Sequence, residues 1–170
     1  MRLEDAKKYV EQVGSLASST GWEYDVVKML EEEMEQVRQY MTWFSWRADQ
    51  WEELMSRYEA WRDECLQRIE IMNEEIDIHI QVIDSIPDDI SREVLSLYAE
   101  TIRKDPYKRN MRAIVQYEDR GLSERNVLRH LKEKAYPFIA AAVPVYHASI
   151  AELIEAHKVG QGACQKYAVM

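Results

Sequence analysis

Apolar side chains recur every seven residues from about Trp22 to Ile86, and no proline or glycine follows Gly21 within this stretch. Two sets of positions, three residues apart, carry the repeat, and in each set eight of nine residues are apolar or aromatic. A repeat sustained this long predicts a coiled-coil helix over about 22–86. The first set is Val27, Met34, Met41, Ala48, Met55, Arg62, Ile69, Ile76 and Ile83, and the second is Leu30, Val37, Phe44, Trp51, Tyr58, Cys65, Met72, His79 and Ile86.

A single helix of this length measures about 90 Å at 1.5 Å per residue. A compact chain of this size has a radius of gyration of only about 15 Å. We therefore expect an elongated molecule, or a helix shared with a partner. The segment Trp43–Arg47 is where we expect a distortion of the helix.

Helix formers dominate the rest of the chain, and no segment alternates with a period of two, so the predicted class is all-α. We expect a single domain over 1–170, in which shorter helices fold back along the long one as a bundle. Pro87 should end the long helix near Ser85, because proline disfavours helical geometry in the residue before it. The predicted segments are a short N-terminal helix within 1–20, the heptad helix over 22–86, shorter helices over 87–159 and a flexible tail over 160–170.

Within 87–159, the sequence predicts a third helix beginning between Ser85 and Asp89 and ending at Asp105–Pro106. A fourth helix is predicted over about 107–119. Ser123 is a candidate N-cap for a fifth helix that Pro144 kinks or divides, and a last helix should end near Val159.

All five tryptophans lie between Trp22 and Trp61, on a helix whose predicted apolar surface extends around most of its circumference. Such a helix is buried on more than one face. Other helices of the same chain, or an oligomer or protein partner, would cover the aromatic residues; a small-molecule pocket is a weaker alternative. The candidate interface residues are Tyr40, Trp43, Phe44, Trp46, Trp51, Tyr58 and Trp61.

The net charge of −9 is unevenly distributed. Residues 1–102 contain 10 Lys/Arg and 24 Asp/Glu, whereas residues 103–134 contain 10 Lys/Arg and 5 Asp/Glu. The basic segment either packs beside the acidic helix, within the chain or from another copy, or it contacts a polyanion such as nucleic acid; an anionic membrane is the weakest option. The candidate phosphate contacts are Lys108, Arg109, Arg112, Arg125, Arg129 and Lys132.

No pattern of catalytic, cofactor-binding or metal-ligating residues stands out. The chain contains no GxSxG, P-loop or GxGxxG sequence, and the Glu-x-x-His pairs of di-iron bundles are absent. His79, one turn after Glu75, is interpreted as a hydrogen-bonding residue of the seam, and Cys65 as a small buried one. We therefore expect no enzyme, no cofactor and no metal site.

The longest apolar run, Phe138–Tyr146, is far too short to span a membrane, and the first residues do not resemble a signal peptide. We therefore expect an intracellular protein without a membrane span. The first hypothesis is a structural or assembly protein that acts through self-association or a protein partner. The alternative is a nucleic-acid-binding coat or nucleoprotein, such as a viral one, which would place the chain in a virion; an enzyme of unrecognised type ranks third.

Overall fold

The computed structural model describes residues 3–107, 122–144, 151, 152 and 155, and the side chains from Ala6 onward within those ranges. Every regular element in the described part is helical, which confirms the all-α prediction. The helices are α1 (Leu3–Trp43), a 3₁₀ turn (Ser45–Arg47), α2 (Ala48–Asp84), α3 (Asp89–Lys104) and α4 (residues 124–144, in which Leu131–Ala135 forms a π-helical turn).

The N-terminal helix does not end within residues 1–20 as expected but continues unbroken through Gly21 to Trp43. Glycine inside a helix costs about 1 kcal/mol relative to alanine. Burial offsets this cost, because the seven-residue spacing extends backward from Val27 through Thr20 and Val13 to Ala6, and all four side chains are buried. The short helix and the first part of the heptad helix are therefore one element.

The helix predicted over 22–86 is divided in two at residues 44–47, so its predicted bounds need correction. Phe44 leaves the helical conformation, with φ −123° and ψ 55°. The chain then turns back, and α2 packs antiparallel to α1, as the Glu23–Arg68 and Tyr40–Trp51 contacts show. A heptad pattern has the same spacing in one long helix and in two antiparallel helices, so the repeat alone does not reveal the turn.

The positions predicted to form the seam are largely those that the hairpin encloses. Of the eighteen seam residues, only Phe44 is exposed; the others are buried or half-buried. Arg62 is half-buried and pairs with the adjacent Asp63 rather than with an acid of the facing helix. Cys65 is fully buried, as predicted.

The described chain divides into two compact units: Met1–Ala17 with Glu74–Met170, and Ser18–Asn73. In the first unit, four helices share one apolar core, to which each contributes several fully buried side chains. Gly14 of α1 lies so close to α3 that a Cβ atom there would be 3.3 Å from Cβ of Ile102. The core includes Val10 and Val13 of α1, Ile76 and Ile83 of α2, Leu95 and Ile102 of α3, and Leu131 and Ile139 of α4.

The second unit, residues 18–73, is formed by the distal halves of α1 and α2. Its buried cluster is small and contains Val27, Cys65 and Ile69, with Val26 packed against it. A pair of helices has only one mutual contact face, so large side chains on its other faces remain in solvent.

The helix ends in the first unit follow the predicted signals. α2 ends at Asp84, ahead of Pro87, and α3 ends at Lys104, ahead of Pro106. Ser123 caps α4 by accepting a hydrogen bond from the backbone N–H of Asn126. Apart from Tyr107, the predicted helix over 107–119 lies outside the described residues, as does the tail over 160–170.

Candidate interaction surface

The turn between α1 and α2 contains neither glycine nor proline. The N–H of Phe44 donates to the carbonyl of Tyr40 at 2.7 Å, and the N–H of Arg47 donates to the carbonyl of Phe44 at 3.0 Å. The first bond spans four residues and completes the last turn of α1, and the second spans three residues within the 3₁₀ turn that leads into α2, so both satisfy terminal backbone groups. Backbone hydrogen bonds are therefore only some of the interactions that hold the turn, and side-chain contacts supply the others.

Five aromatic residues at this turn contact one another, and we call them the aromatic tip. Tyr40 and Trp51 stack with ring centroids 5.5 Å apart, which joins α1 to α2. Further ring pairs have centroid separations of 6.2–6.4 Å, and the guanidinium of Arg47 lies 4.5 Å from the centroid of the Trp46 ring. The aromatic tip consists of Tyr40, Trp43, Phe44, Trp46 and Trp51.

The aromatic tip is largely in solvent. Trp46 and Trp43 are 72% and 65% exposed, and Phe44, which was predicted to point into the seam, is exposed as well. Trp51 is half-buried, and its indole nitrogen is buried without a hydrogen-bond partner in the described part of the chain. Exposed tryptophans next to an arginine are typical of the residues that dominate the energy of protein interfaces.

The other two predicted interface residues lie away from the tip, on α2. Tyr58 is half-buried in the seam, whereas Trp61 is 45% exposed on its flank. Trp22, which the sequence analysis did not include among the interface candidates, is 70% exposed on α1. Trp22 lies seven residues before Met29 and twenty-one before Trp43, so helical periodicity places all three on one side of α1. This spacing would have identified Trp22 as an interface candidate from the sequence.

The four exposed tryptophans are distributed along the hairpin, with Trp43 and Trp46 at the tip and Trp22 and Trp61 away from it. Their exposed parts amount to about 500 Å² if each ring system counts for about 200 Å². The largest apolar patch of a typical monomer is about 300–600 Å² and is often functional. The total for the hairpin reaches this range, but it is spread over about 31 Å of α1 between Trp22 and Trp43 and does not form one patch.

A charge cluster joins the two helices in the same unit, with the Arg68 side chain 48% exposed and the Glu23 side chain 17% exposed. The guanidinium of Arg68 donates to both carboxylate oxygens of Glu23, at 2.8 and 3.1 Å, and to the sulfur of Cys65 at 3.2 Å. These hydrogen bonds lower the pKa of Glu23. Burial, and then the neighbouring Glu23, raise the pKa of the Cys65 thiol, so it remains protonated and unreactive.

The basic residues predicted for phosphate contacts are described only in part. Arg125, Arg129 and Lys132 lie on α4 and are exposed, and none of them forms an ion pair within the described residues. Lys108, Arg109 and Arg112 lie outside the described residues. The three described side chains are spaced by four and three residues, which places them on one side of the helix.

A polar cluster in the first unit was not predicted. Asp88 caps α3 through the backbone N–H and hydroxyl of Ser91, and also accepts hydrogen bonds from His130 at 3.1 Å and Lys134 at 3.0 Å. Burial by itself would raise the pKa of Asp88, but these hydrogen bonds outweigh burial and lower it. Together with Pro87 and Phe138, Asp88 and Lys134 line an open depression of about 320 Å³.

The π-helical turn of α4 accompanies this cluster. The N–H of Tyr136 donates to the carbonyl of Leu131, five residues earlier, so the helix is widened between these residues. His130 directly precedes the widened turn and Lys134 lies within it. His130 and Lys134 therefore join the start of α3 to α4 through Asp88, while Ser91 completes the cap, so the cluster has a structural role.

His79, the second polar residue of the seam, is buried in the first unit. Its ring stacks on Tyr9 with centroids 4.1 Å apart, and its nitrogens lie 2.7 Å from the carbonyl oxygen of Glu75 and 3.1 Å from Oε1 of Gln12. Both ring nitrogens are engaged, as expected for a hydrogen-bonding core histidine.

The described residues contain neither a candidate metal-binding group nor a helix that could span a membrane. No group of three histidine, cysteine or carboxylate side chains in this part of the chain is placed to hold a metal ion. No described helix combines the length and apolar character needed to cross a membrane. Comparison with known proteins finds no matching family, no matching curated protein and no matching solved structure.

Proposed function

We propose that this chain is a non-enzymatic structural or assembly protein that acts through self-association, with the hairpin of residues 18–73 supplying the contact surface. The observation that supports this proposal is the aromatic tip, where Trp43 and Trp46 are mainly in solvent. Aromatic side chains of this size bury about 150–250 Å² each and supply much of the energy of protein contacts.

The exposure of Trp43 and Trp46 also favours a role in contact with another molecule over a role in stabilising their own chain. A buried ring stabilises its own chain, whereas an exposed one contributes little until another surface covers it. Tyr40 and Trp51 already hold the turn through their stacked rings, so Trp43 and Trp46 are not required for that contact. Their exposure is therefore consistent with a role between molecules.

The experiment is a native mass measurement by light scattering across a range of concentrations, on the full chain and on the double variant Trp43→Ser with Trp46→Ser. We expect the full chain to exceed the mass of a monomer and the double variant to lose that excess. Tyr107→Ser is the matched control, because it removes an aromatic side chain that is 91% exposed in the other unit. A strict monomer whose mass and stability ignore the tip substitutions would overturn the proposal.

A second function, polyanion binding, has one observation in its favour. Arg125, Arg129 and Lys132 present exposed, unpaired cations on one side of α4 within the described chain. The net charge of −9 opposes long-range attraction to nucleic acid, which is why this function ranks second.

Titration with a labelled oligonucleotide at low and moderate salt tests it. Phosphate contacts predict binding that weakens steeply as salt rises. The triple variant Arg125→Gln, Arg129→Gln and Lys132→Gln should then have a lower affinity for oligonucleotides, whatever their base sequence. Absence of binding at low salt would dismiss this function and leave the first proposal unaffected.

A further inference from the structure

Four large apolar side chains of the second unit lie on one side of the hairpin, and we call this side the tryptophan face. Trp22, Met29 and Trp43 are spaced by multiples of seven residues, so they lie along one line of α1, and all three are exposed. In antiparallel helices the g positions of the two helices lie on the same side of the seam, and each c position lies next to a g position; Trp61 at g of α2 is therefore on the same side as Trp22, Met29 and Trp43 at c of α1. The register set by Glu23–Arg68 places Trp61 at about the level of Met29.

The opposite side of the hairpin is mainly charged. Tyr24 and Leu66 are its exposed apolar residues, and most of the other positions there are acidic. A partner that binds the tryptophan face would bury more apolar area than one that binds the opposite side. It would also remove less water from charged groups. The exposed charged residues of the opposite side include Lys28, Glu31, Glu35, Glu52, Glu59 and Asp63.

The first unit shows how the same pair of helices is completed elsewhere in this chain. There, α1 and α2 pack with α3 and α4 into a shared four-helix core. In the second unit, α1 and α2 have only each other within the described residues. Two additional helices would give the second unit a core of the same kind.

We propose that a second copy of this chain covers the tryptophan face, so that two hairpins form one four-helix bundle. The two copies are related by a twofold axis that runs along the helices, and both aromatic tips lie at the same end. This inference rests on the proposed function and specifies its geometry.

Charge complementarity selects this axis. A twofold axis along the helices brings α1 of one copy against α2 of the other, which is antiparallel packing throughout. Glu33 then lies at the level of Arg57 of the partner subunit, and both residues are exposed and lack an ion pair in the described chain. A perpendicular axis would instead place α1 against α1 of the partner subunit, so that Glu33 would no longer face Arg57.

The area available is adequate for a specific dimer. The exposed parts of the tryptophan face amount to about 450 Å² when each large side chain counts for about 200 Å². A stable interface buries about 800 Å² per partner, of which the centre is apolar and the rim polar. The tryptophan face therefore supplies over half of that area, and the charged residues beside it supply the rim.

The test uses the full chain and measures the dimer dissociation constant by light scattering and sedimentation. Glu33→Arg or Arg57→Glu alone should weaken the dimer about tenfold, because each change replaces two attractive contacts by repulsive ones. The double variant should restore the affinity to within about threefold. Circular dichroism of each variant checks that the monomer fold is unchanged.

A second pair of variants tests the face itself. Trp22→Ser should weaken the dimer at least tenfold, whereas Tyr24→Ser, two residues away on the opposite side, should leave it unchanged. A dimer that responds to Trp43→Ser with Trp46→Ser but ignores Trp22→Ser and both charge reversals would overturn this geometry and keep the proposed function. A strict monomer insensitive to every substitution would overturn both.

Discussion

Replacement of Asp88 should weaken the first unit more than replacement of any neighbouring carboxylate. Its side chain caps α3 and also contacts His130 and Lys134 of α4. Loss of the cap costs about 1 kcal/mol. The two contacts to α4 add about 1–2 kcal/mol, at the low end for charged hydrogen bonds, because the Lys134 side chain is 55% exposed.

We therefore expect Asp88→Ala to lower the free energy of unfolding by about 2–3 kcal/mol. Asp88→Asn should cost about 1–2 kcal/mol, since asparagine keeps the cap and loses only the charge. Asp89→Ala is the matched control: its carboxylate is 77% exposed and pairs only with Arg92 among the described residues, so the change should stay within about 0.5 kcal/mol. Urea denaturation followed by circular dichroism measures all three.

The effect of pH provides a second, independent check. The pKa of Asp88 is lowered in the folded chain, so its contribution is complete above the ordinary aspartate pKa of about 3.9. It is lost as the pH falls from there through the lowered pKa. The difference between the wild type and Asp88→Asn should therefore shrink as the pH falls below about 4. A difference that persists or grows on acidification would refute the reasoning.

Three further substitutions test the packing. Gly21→Ala should raise the free energy of unfolding, measured by urea denaturation, by about 0.5–1 kcal/mol, because nothing lies within 4 Å of the added carbon. Gly14→Leu should lower it by more than about 2 kcal/mol, because the larger side chain would collide with Ile102 of α3. Arg68→Ala should cost about 1 kcal/mol by removing both hydrogen bonds to Glu23, because the Arg68 side chain is 48% exposed and solvent screens the pair; an unchanged denaturation midpoint would contradict this. Cys65, buried and with a raised pKa, should resist a thiol reagent at pH 8 in a Cys164→Ser background until denaturant is added; rapid labelling of the native chain would show that the seam opens.

The seam residues were predictable because helical periodicity determines which side chains share a face. Val27, Leu30, Met34 and Val37 are all buried as the repeat indicates. The partner of that face was not predictable, since the same repeat suits a second chain, a separate helix or the returning half of the same helix. The turn at Phe44 removes one seam residue from the core and leaves the rest in register.

The Asp88 cluster shows a different limit. The sequence predicts a helix beginning between Ser85 and Asp89, which includes Asp88, but the contacts of Asp88 with His130 and Lys134 join residues more than forty positions apart. No spacing rule within a helix connects such positions, because they meet only after α3 and α4 pack. The widened turn at Leu131–Ala135 is likewise invisible in the periodicity of α4.

The aromatic residues of the turn divide into two groups that composition alone does not distinguish. Tyr40 and Trp51 stack across the two helices, and the turn they close has no glycine or proline to favour it. Packing of these rings therefore replaces backbone preference as the reason the chain reverses here. Trp43 and Trp46 have their rings mainly in solvent and are not needed for that reversal. Both the turn and the proposed contact surface thus come from one aromatic segment, because the residues that close a hairpin by side-chain packing leave their neighbours exposed at its end.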